Sequence, residues 1–296
     1  MPSNEAHHGI IVAVDDSPSS LAATDWAARD AALRHVPLTL VHVLAEPPVG
    51  MWPEPALLNG FSEWRAKNGH EILAKARRVA DRALEQSNPI AVTELSCAGT
   101  PVPTLVDLSK DADMVVVGCR GQGALQRMLL GSVSTGLVHY SHCPVAVIHD
   151  EDPLMDRPFD APVLVGIDGS PASELATAIA FDEASRRAVD LIAMHGWFDD
   201  DLRDWIGVDW DRQLEIGKEV LGERLAGWAD RYPDVTVEHR LVDGDPAERL
   251  IAASEDAQLT VVGSHGRGGF AGMLLGSVSS KVVHAARMPV IVARQG

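Results

Sequence analysis

The sequence predicts an α/β protein of two tandem domains, residues 1–150 and 161–296. Each is expected to be a five-stranded parallel sheet of order 3-2-1-4-5 with helices on both faces. Three observations predict this. First, the chain repeats itself. "VAVDDSPSS" at 12–20 matches "VGIDGSPAS" at 165–173 at five of nine positions, and 117–134 matches 262–279 at 11 of 18. A repeat this long is a domain duplication, not a solenoid period. Second, each copy alternates continuous apolar runs with helical patterns, as a buried parallel sheet requires. Third, "DEDPLMDRPFDAP" at 150–162 has the Pro and acidic content of a linker.

In the first copy "IIVAV" reads as a buried strand. Ser17 is a candidate N-cap and Pro18 a candidate first helical residue, opening a helix to about His35. "LTLVHVL" is the second strand, followed by a long amphipathic helix over about 61–86. "AVTELSC" alternates apolar and polar residues, which places the third strand nearer an edge. A short helix over 103–110 leads to the buried strand "MVVVG". A helix over 132–141 then leads to "PVAVI". The second copy repeats the order with "VLVGI", "DLIAMH", "VTVEHRL", "LTVVG" and "PVIVA". Right-handed crossovers leave few topologies, and 3-2-1-4-5 is the usual one for five such strands.

Composition narrows the function. The 296 residues are 46% apolar and 23% charged, with a net charge of −17. A broad acidic surface repels a phosphate backbone, so no nucleic-acid partner is expected. No apolar run approaches the ~20 residues of a membrane span. "MPSNEAHHG" lacks the basic start and apolar run of a secretory signal, so a cytoplasmic location is expected. Three cysteines without CxxC spacing do not read as a disulfide framework or a zinc site.

In the predicted topology the strand order reverses between strands one and four, and ligands bind beyond the carboxyl ends at such a point. Strand one runs into Asp15 (Asp168 in the second copy), and strand four ends in Gly118 (Gly263). The glycine loop that follows delivers the chain to a helix start near Ser132. Small residues let backbone N–H groups approach a ligand, and a helix start adds donors and a positive dipole end. Together these suit an anion such as phosphate. Ser132 and Ser134 can add hydroxyl contacts. The alternative is a glycine-rich turn that only needs to bend. No G-x-x-x-x-G-K-[ST] occurs, so this is not a P-loop. A loose G-x-G-x-x-A at 266–271 follows the fourth strand rather than the first, which excludes a dinucleotide fold.

The spacing G-x2-G-x9-G-[ST] occurs at Gly118, Gly121, Gly131, Ser132 and again at Gly263, Gly266, Gly276, Ser277. With an Asp after strand one, it resembles the ATP-binding branch of the universal stress proteins, in the tandem form of actinobacterial members. The resemblance covers both halves. It implies ATP, or a related adenine nucleotide, in each domain, with Mg2+ as a companion of the phosphates. By it Asp15 and Asp168 would sit by the ribose or a metal, beside Ala13 and Gly166. The backbone of Val43 (Gly196) would hold adenine. Gly118, Gly121 and Gly123 would wrap ribose and phosphates, with Arg127, Gly131, Ser132, Val133 and Ser134 closing on the phosphates. The second set is Gly263, Gly266, Arg267, Gly268, Gly276, Ser277, Val278 and Ser279. Gly272 stands where the first copy has Arg127, and Arg267 where it has Gln122.

His42 and His195 end buried strands and are expected to be packed or bonded to backbone. "HYSHCP" offers His139, His142 and Cys143 to a metal, but the second copy reads "HAARMP", which argues against one. No nucleophile, paired carboxylates or metal cluster stands out, so binding is expected rather than turnover. Slow ATP hydrolysis and a nucleotide-free partner-binding protein are the rival readings. Strand five of each half is an apolar edge that the halves are expected to cover by pseudo-twofold pairing. The surface left over suits a homodimer.

Overall fold

The computed structural model of the protein describes residues 7–44, 55–121, 130–149, 160–196, 210–266 and 274–294. The chain divides into two compact units, 1–150 and 151–294. The first holds β1 (Ile10–Ala13), α1 (Pro18–Arg34), β2 (Leu38–Leu44), α2 (Pro55–Ala83), β3 (Val92–Ala98), α3 (Pro101–Leu108), β4 (Met114–Gly118), α4 (Ser132–Tyr140) and β5 (Val145–Ile148). The second holds β6 (Val163–Gly166), α5 (Pro171–Arg187), β7 (Leu191–Gly196), α6 (Trp210–Leu225), α7 (Trp228–Arg231), β8 (Val237–Val242), α8 (Pro246–Ser254), β9 (Leu259–Gly263), α9 (Ser277–Ala285) and β10 (Val290–Ala293).

The order is β3-β2-β1-β4-β5 in the first unit and β8-β7-β6-β9-β10 in the second. Both are 3-2-1-4-5, and the neighbours pair in parallel. Val12 lies between Leu40 and Val116, and Val165 between Ala193 and Val261. The central strands are apolar along their length because helices cover both faces, and β4, β5, β9 and β10 are buried throughout. β3 and β8, at the far end of each sheet, hold only exposed and half-buried residues.

Each unit opens in the same way. Ser17 accepts from Ser20 N and Ser170 from Ser173 N, with a proline next in line, so α1 and α5 begin capped. The turn before the cap needs a left-handed residue. Asp16 supplies it at φ 69° and Gly169 at φ 78°. The Asp16 carboxylate is held by Lys75 of α2 at 2.5 Å. In the second unit the buried Phe181 of α5 stacks on Trp228 at 5.1 Å, with Tyr232 at 5.6 Å.

Two helix boundaries differ from the expectation. α2 begins at Pro55 rather than near 61, because proline is tolerated in a first turn. α3 begins at Pro101 rather than Pro103. The first four N–H groups of a helix need no intrahelical partner, so Pro103 fits inside the first turn. Among the described residues no helix is long and apolar enough to cross a membrane.

Leu164 is fully buried in the centre of the second sheet. Leu164→Ala should lower stability by about 2–5 kcal/mol in urea denaturation; a loss under about 1 kcal/mol would mean this strand is not core.

Candidate functional site

Where β1 and β4 diverge from their neighbours, the first unit holds a crevice of about 190 Å³. One wall is the sheet, through Ala13, Val41 and Val43. The facing wall is α3, through Pro101 and Leu105. The mouth is polar, with Asp15, Arg120 and the start of α4 at Ser132, Val133 and Ser134. Gly118, Gly121 and Gly131 also line it. The crevice thus unites every first-copy residue that the resemblance assigns to a nucleotide except Gly123 and Arg127, which lie outside the described residues.

Asp15 is fixed from one side. Its Oδ1 accepts from Ser17 N at 3.0 Å and from Ser17 Oγ at 2.6 Å. Its Oδ2 faces the loop, where a methyl on Gly121 would come within 2.6 Å of it. The loop is tied to the same helix turn. The Ser19 hydroxyl donates to the Arg120 carbonyl. Gly131 N then donates to the Cys119 carbonyl at 2.7 Å, which brings the chain back for α4. Gly131 is the N-cap of α4, so residues 132–134 form its first turn. Their N–H groups lack intrahelical acceptors and sit at the positive end of the helix dipole.

A methyl on Gly118 would meet the Ser19 carbonyl carbon at 2.6 Å, so this glycine, which lines the crevice, also admits the first turn of α1. One residue acts differently from the expectation. The Ser134 hydroxyl is buried and donates to the Gly118 carbonyl at 2.7 Å. Its proton is committed to the fold, which leaves the backbone N–H as its donor toward the crevice.

The second unit reproduces this frame. Ser170 N donates to Asp168 Oδ1 at 2.9 Å, and a methyl on Gly266 would lie 2.6 Å from Asp168 Oδ2. The Ser170 hydroxyl donates to the His265 carbonyl at 3.1 Å. Gly276 N donates to the Ser264 carbonyl at 2.7 Å and caps α9, whose first residues are Ser277, Val278 and Ser279. Ser279 Oγ donates to the Gly263 carbonyl at 2.5 Å. Gly166 and Gly196 end β6 and β7. Arg267 and Gly268 lie outside the described residues.

Sequence reasoning missed Arg120 and its counterpart His265. The signal was there: both stand between the first two loop glycines and both are basic types. A guanidinium is always charged and an imidazole is not, so the mouths differ in charge. It also missed α3 as a wall, because Pro101 and Leu105 reach the crevice only through the third crossover.

His42 and His195 are bonded to backbone as expected, Nδ1 to the Val14 carbonyl at 2.7 Å and to the Ile167 carbonyl at 2.6 Å. Each carbonyl can only accept, so Nδ1 carries the proton. At the "HYSHCP" turn, His139 Nδ1 bonds the Thr135 carbonyl at 2.7 Å. Burial pushes the Cys143 thiol up to about 11, which disfavours the thiolate a metal needs. Among the described residues no group of three or more His, Cys, Asp or Glu could hold a metal ion.

A doubly wound domain with an acid and an amide-rich loop at the switch point defines a small-ligand binding class. The profile of the Universal stress protein family matches residues 7–149 and 161–294, and the chain belongs to that family. Universal stress protein Rv2623 of Mycobacterium tuberculosis is 52% identical over 295 residues, covering 100% of this chain and 99% of the relative. A universal stress protein of Mycolicibacterium smegmatis is 49% identical over 294 residues, covering 99% of each. The crystal structure of a universal stress protein from Archaeoglobus fulgidus shares the fold, with TM-score 0.71 at 22% identity over 98% of this chain and 100% of that one.

Gly118→Ala should destabilise the protein by about 1–3 kcal/mol in urea denaturation, since a backbone contact must open. Gly121→Ala meets only a carboxylate oxygen and should stay within about 0.5 kcal/mol. The reverse ranking would contradict the packing role of Gly118.

Proposed function

We propose that the protein binds an adenine nucleotide in each unit, ATP with Mg2+, and works as a nucleotide-dependent regulator or sensor in a stress response. The observation that carries this reading is the convergence of the Asp15 carboxylate, Arg120 and the first turn of α4 on one crevice with apolar walls. The parts match a nucleotide by chemistry. A ribose diol donates hydrogen bonds, and Asp15 Oδ2 accepts them. Phosphates need donors, and the N–H groups of 132–134 with the Arg120 guanidinium supply them. A purine suits the apolar slot between Val43, Ala13 and α3. Mg2+ that travels with phosphates needs only one or two protein carboxylates, and Asp15 would be one.

Binding is favoured over turnover. Hydrolysis needs a base on a water or a metal-activated one. At the crevice the His42 Nδ1 proton is committed to a carbonyl and the Asp15 Oδ1 to Ser17. Sites of this kind hold a ligand and report its presence. We place the protein in the cytoplasm, where adenine nucleotides are abundant, and read it as a homodimer.

Calorimetry should detect ATP binding, and Asp15→Ala should weaken the first site by about 10-fold or more, the scale of a hydrogen bond to a charged group. Absence of any adenine nucleotide, bound or copurified, would remove this reading in favour of a nucleotide-free partner protein. Phosphate release at about 1 per second or faster, a common enzyme scale, would make it an ATPase instead. Sedimentation tests assembly separately: a mass near 31.7 kDa at all micromolar concentrations would leave a monomer.

A further inference from the structure

The two units share the frame of the polar mouth, an aspartate and a helix N-terminus, but differ on the apolar wall. In the first unit the sheet side carries Ala13 and Val43, and α3 faces them through Pro101 and Leu105 across the open crevice. In the second unit the equivalent sheet residues are Gly166 and Gly196, and α8 has taken their room. A methyl placed on Gly196 would lie 2.9 Å from Pro246 Cγ and 3.1 Å from its Cβ. One placed on Gly166 would lie 3.0 Å from Leu250 Cδ1. A leucine can rotate away, but a proline ring cannot, since its ring is closed onto the backbone. Real side chains do not approach this closely, so Pro246 sits nearer its strand than Pro101 can sit to Val43. The space freed by deleting two side chains is filled by the protein, not left for a ligand.

The start of α8 is also fastened where α3 is not. Asp245 caps α8, accepting from Ala247 N at 2.8 Å, and takes Lys281 Nζ of α9 at 2.5 Å. The Lys281 hydrogen bond holds the Asp245 carboxyl below its usual range. The equivalent residues of the first unit are Thr100 and Gly136. Thr100 makes no side-chain cap. Gly136 lets α4 close onto α3, where a methyl would meet Val102 Cγ1 at 2.6 Å. Thus both helices pack on their neighbouring helix, but α8 is also pinned at its N-terminus and lies closer onto the sheet.

The geometry points to two unequal nucleotide sites, with Pro246 on Gly196 as the determinant: the first unit receives the base in an open slot, and the second must displace α8 to do so. This rests on the nucleotide reading above and adds a rank order within it. A ligand entering the second unit keeps Asp168 and the α9 N-terminus but loses part of its base contact. Affinity there should fall, and the base should contribute less to it.

The test is ATP titration of the full chain by calorimetry, with Asp15→Ala and Asp168→Ala assigning the phases. Two phases at least about 10-fold apart are expected, the tight one lost in Asp15→Ala and the weak one in Asp168→Ala. Pro246→Ala should tighten the weak phase about three-fold or more and leave the tight phase unchanged. Lys281→Gly, a surface change to the residue of the first unit, should act in the same direction if Pro246→Ala does not fold. Inorganic tripolyphosphate should compete relatively better at the weak site than at the tight one. Equal sites, a tight phase that depends on Asp168, or a weak phase unmoved by both Pro246→Ala and Lys281→Gly would overturn the rank order alone. No ATP at either site would overturn the nucleotide reading itself.

Discussion

A backbone contact with no room for a side chain, Gly118 against Ser19, sets the geometry of the first crevice. It brings the end of β4 onto the first turn of α1. From that approach the rest follows by short steps. The Ser19 hydroxyl reaches the Arg120 carbonyl, Gly121 comes to rest against Asp15, and the loop returns through Cys119 to start α4. The acid, residues 118–121 and the helix N-terminus therefore hold defined relations to one another. Such preorganisation spares the ordering cost that binding would otherwise carry. The second unit repeats the constraint, with Gly263 against Ala172.

Much of this was legible because it is written locally. Apolar strand runs, a serine and proline at each first helix, and glycines at fixed intervals specify their own geometry. Handedness rules left few strand orders, and the usual one among them is the order observed. What was not legible depends on contacts across the fold. Gly118 was read only as a ligand-facing glycine, and the distance to Ser19 shows that it also makes room for a helix. Ser134 was read as a hydroxyl donor to phosphate, and only its depth reveals a bond to the Gly118 carbonyl. Arg120 stood inside the motif, and its signal appears only when it is set beside His265, the basic residue at the same place in the second copy. The α3 start was misplaced because proline marks a first turn but does not say which residue of it; the α2 start was misplaced because the amphipathic pattern begins after the helix does.

The second copy separates what the frame needs from what it tolerates. Positions that hold backbone to backbone repeat in kind: glycine at 118 and 263, aspartate at 15 and 168, serine at 134 and 279. Some side chains that line the crevice differ, with Arg120 against His265 and Val43 against Gly196. A change at a frame position displaces several hydrogen bonds at once, so its cost is shared by the whole crevice. A change on the apolar wall can be absorbed by moving one helix.

That asymmetry has a physical consequence for a duplicated protein. Interiors are close-packed, so deleting a side chain either leaves a void or draws a neighbour in. At Gly166 and Gly196 the neighbour was drawn in. Because α8 carries Pro246 and Leu250 on one face, a single rigid shift fills both gaps. The same shift brings the Asp245 cap within reach of Lys281, so packing and charge favour one position of the helix. A ligand that must push this helix outward works against both at once. One that engages only the polar mouth does not, and a duplication of one binding frame can thereby yield two sites of different selectivity without altering the frame.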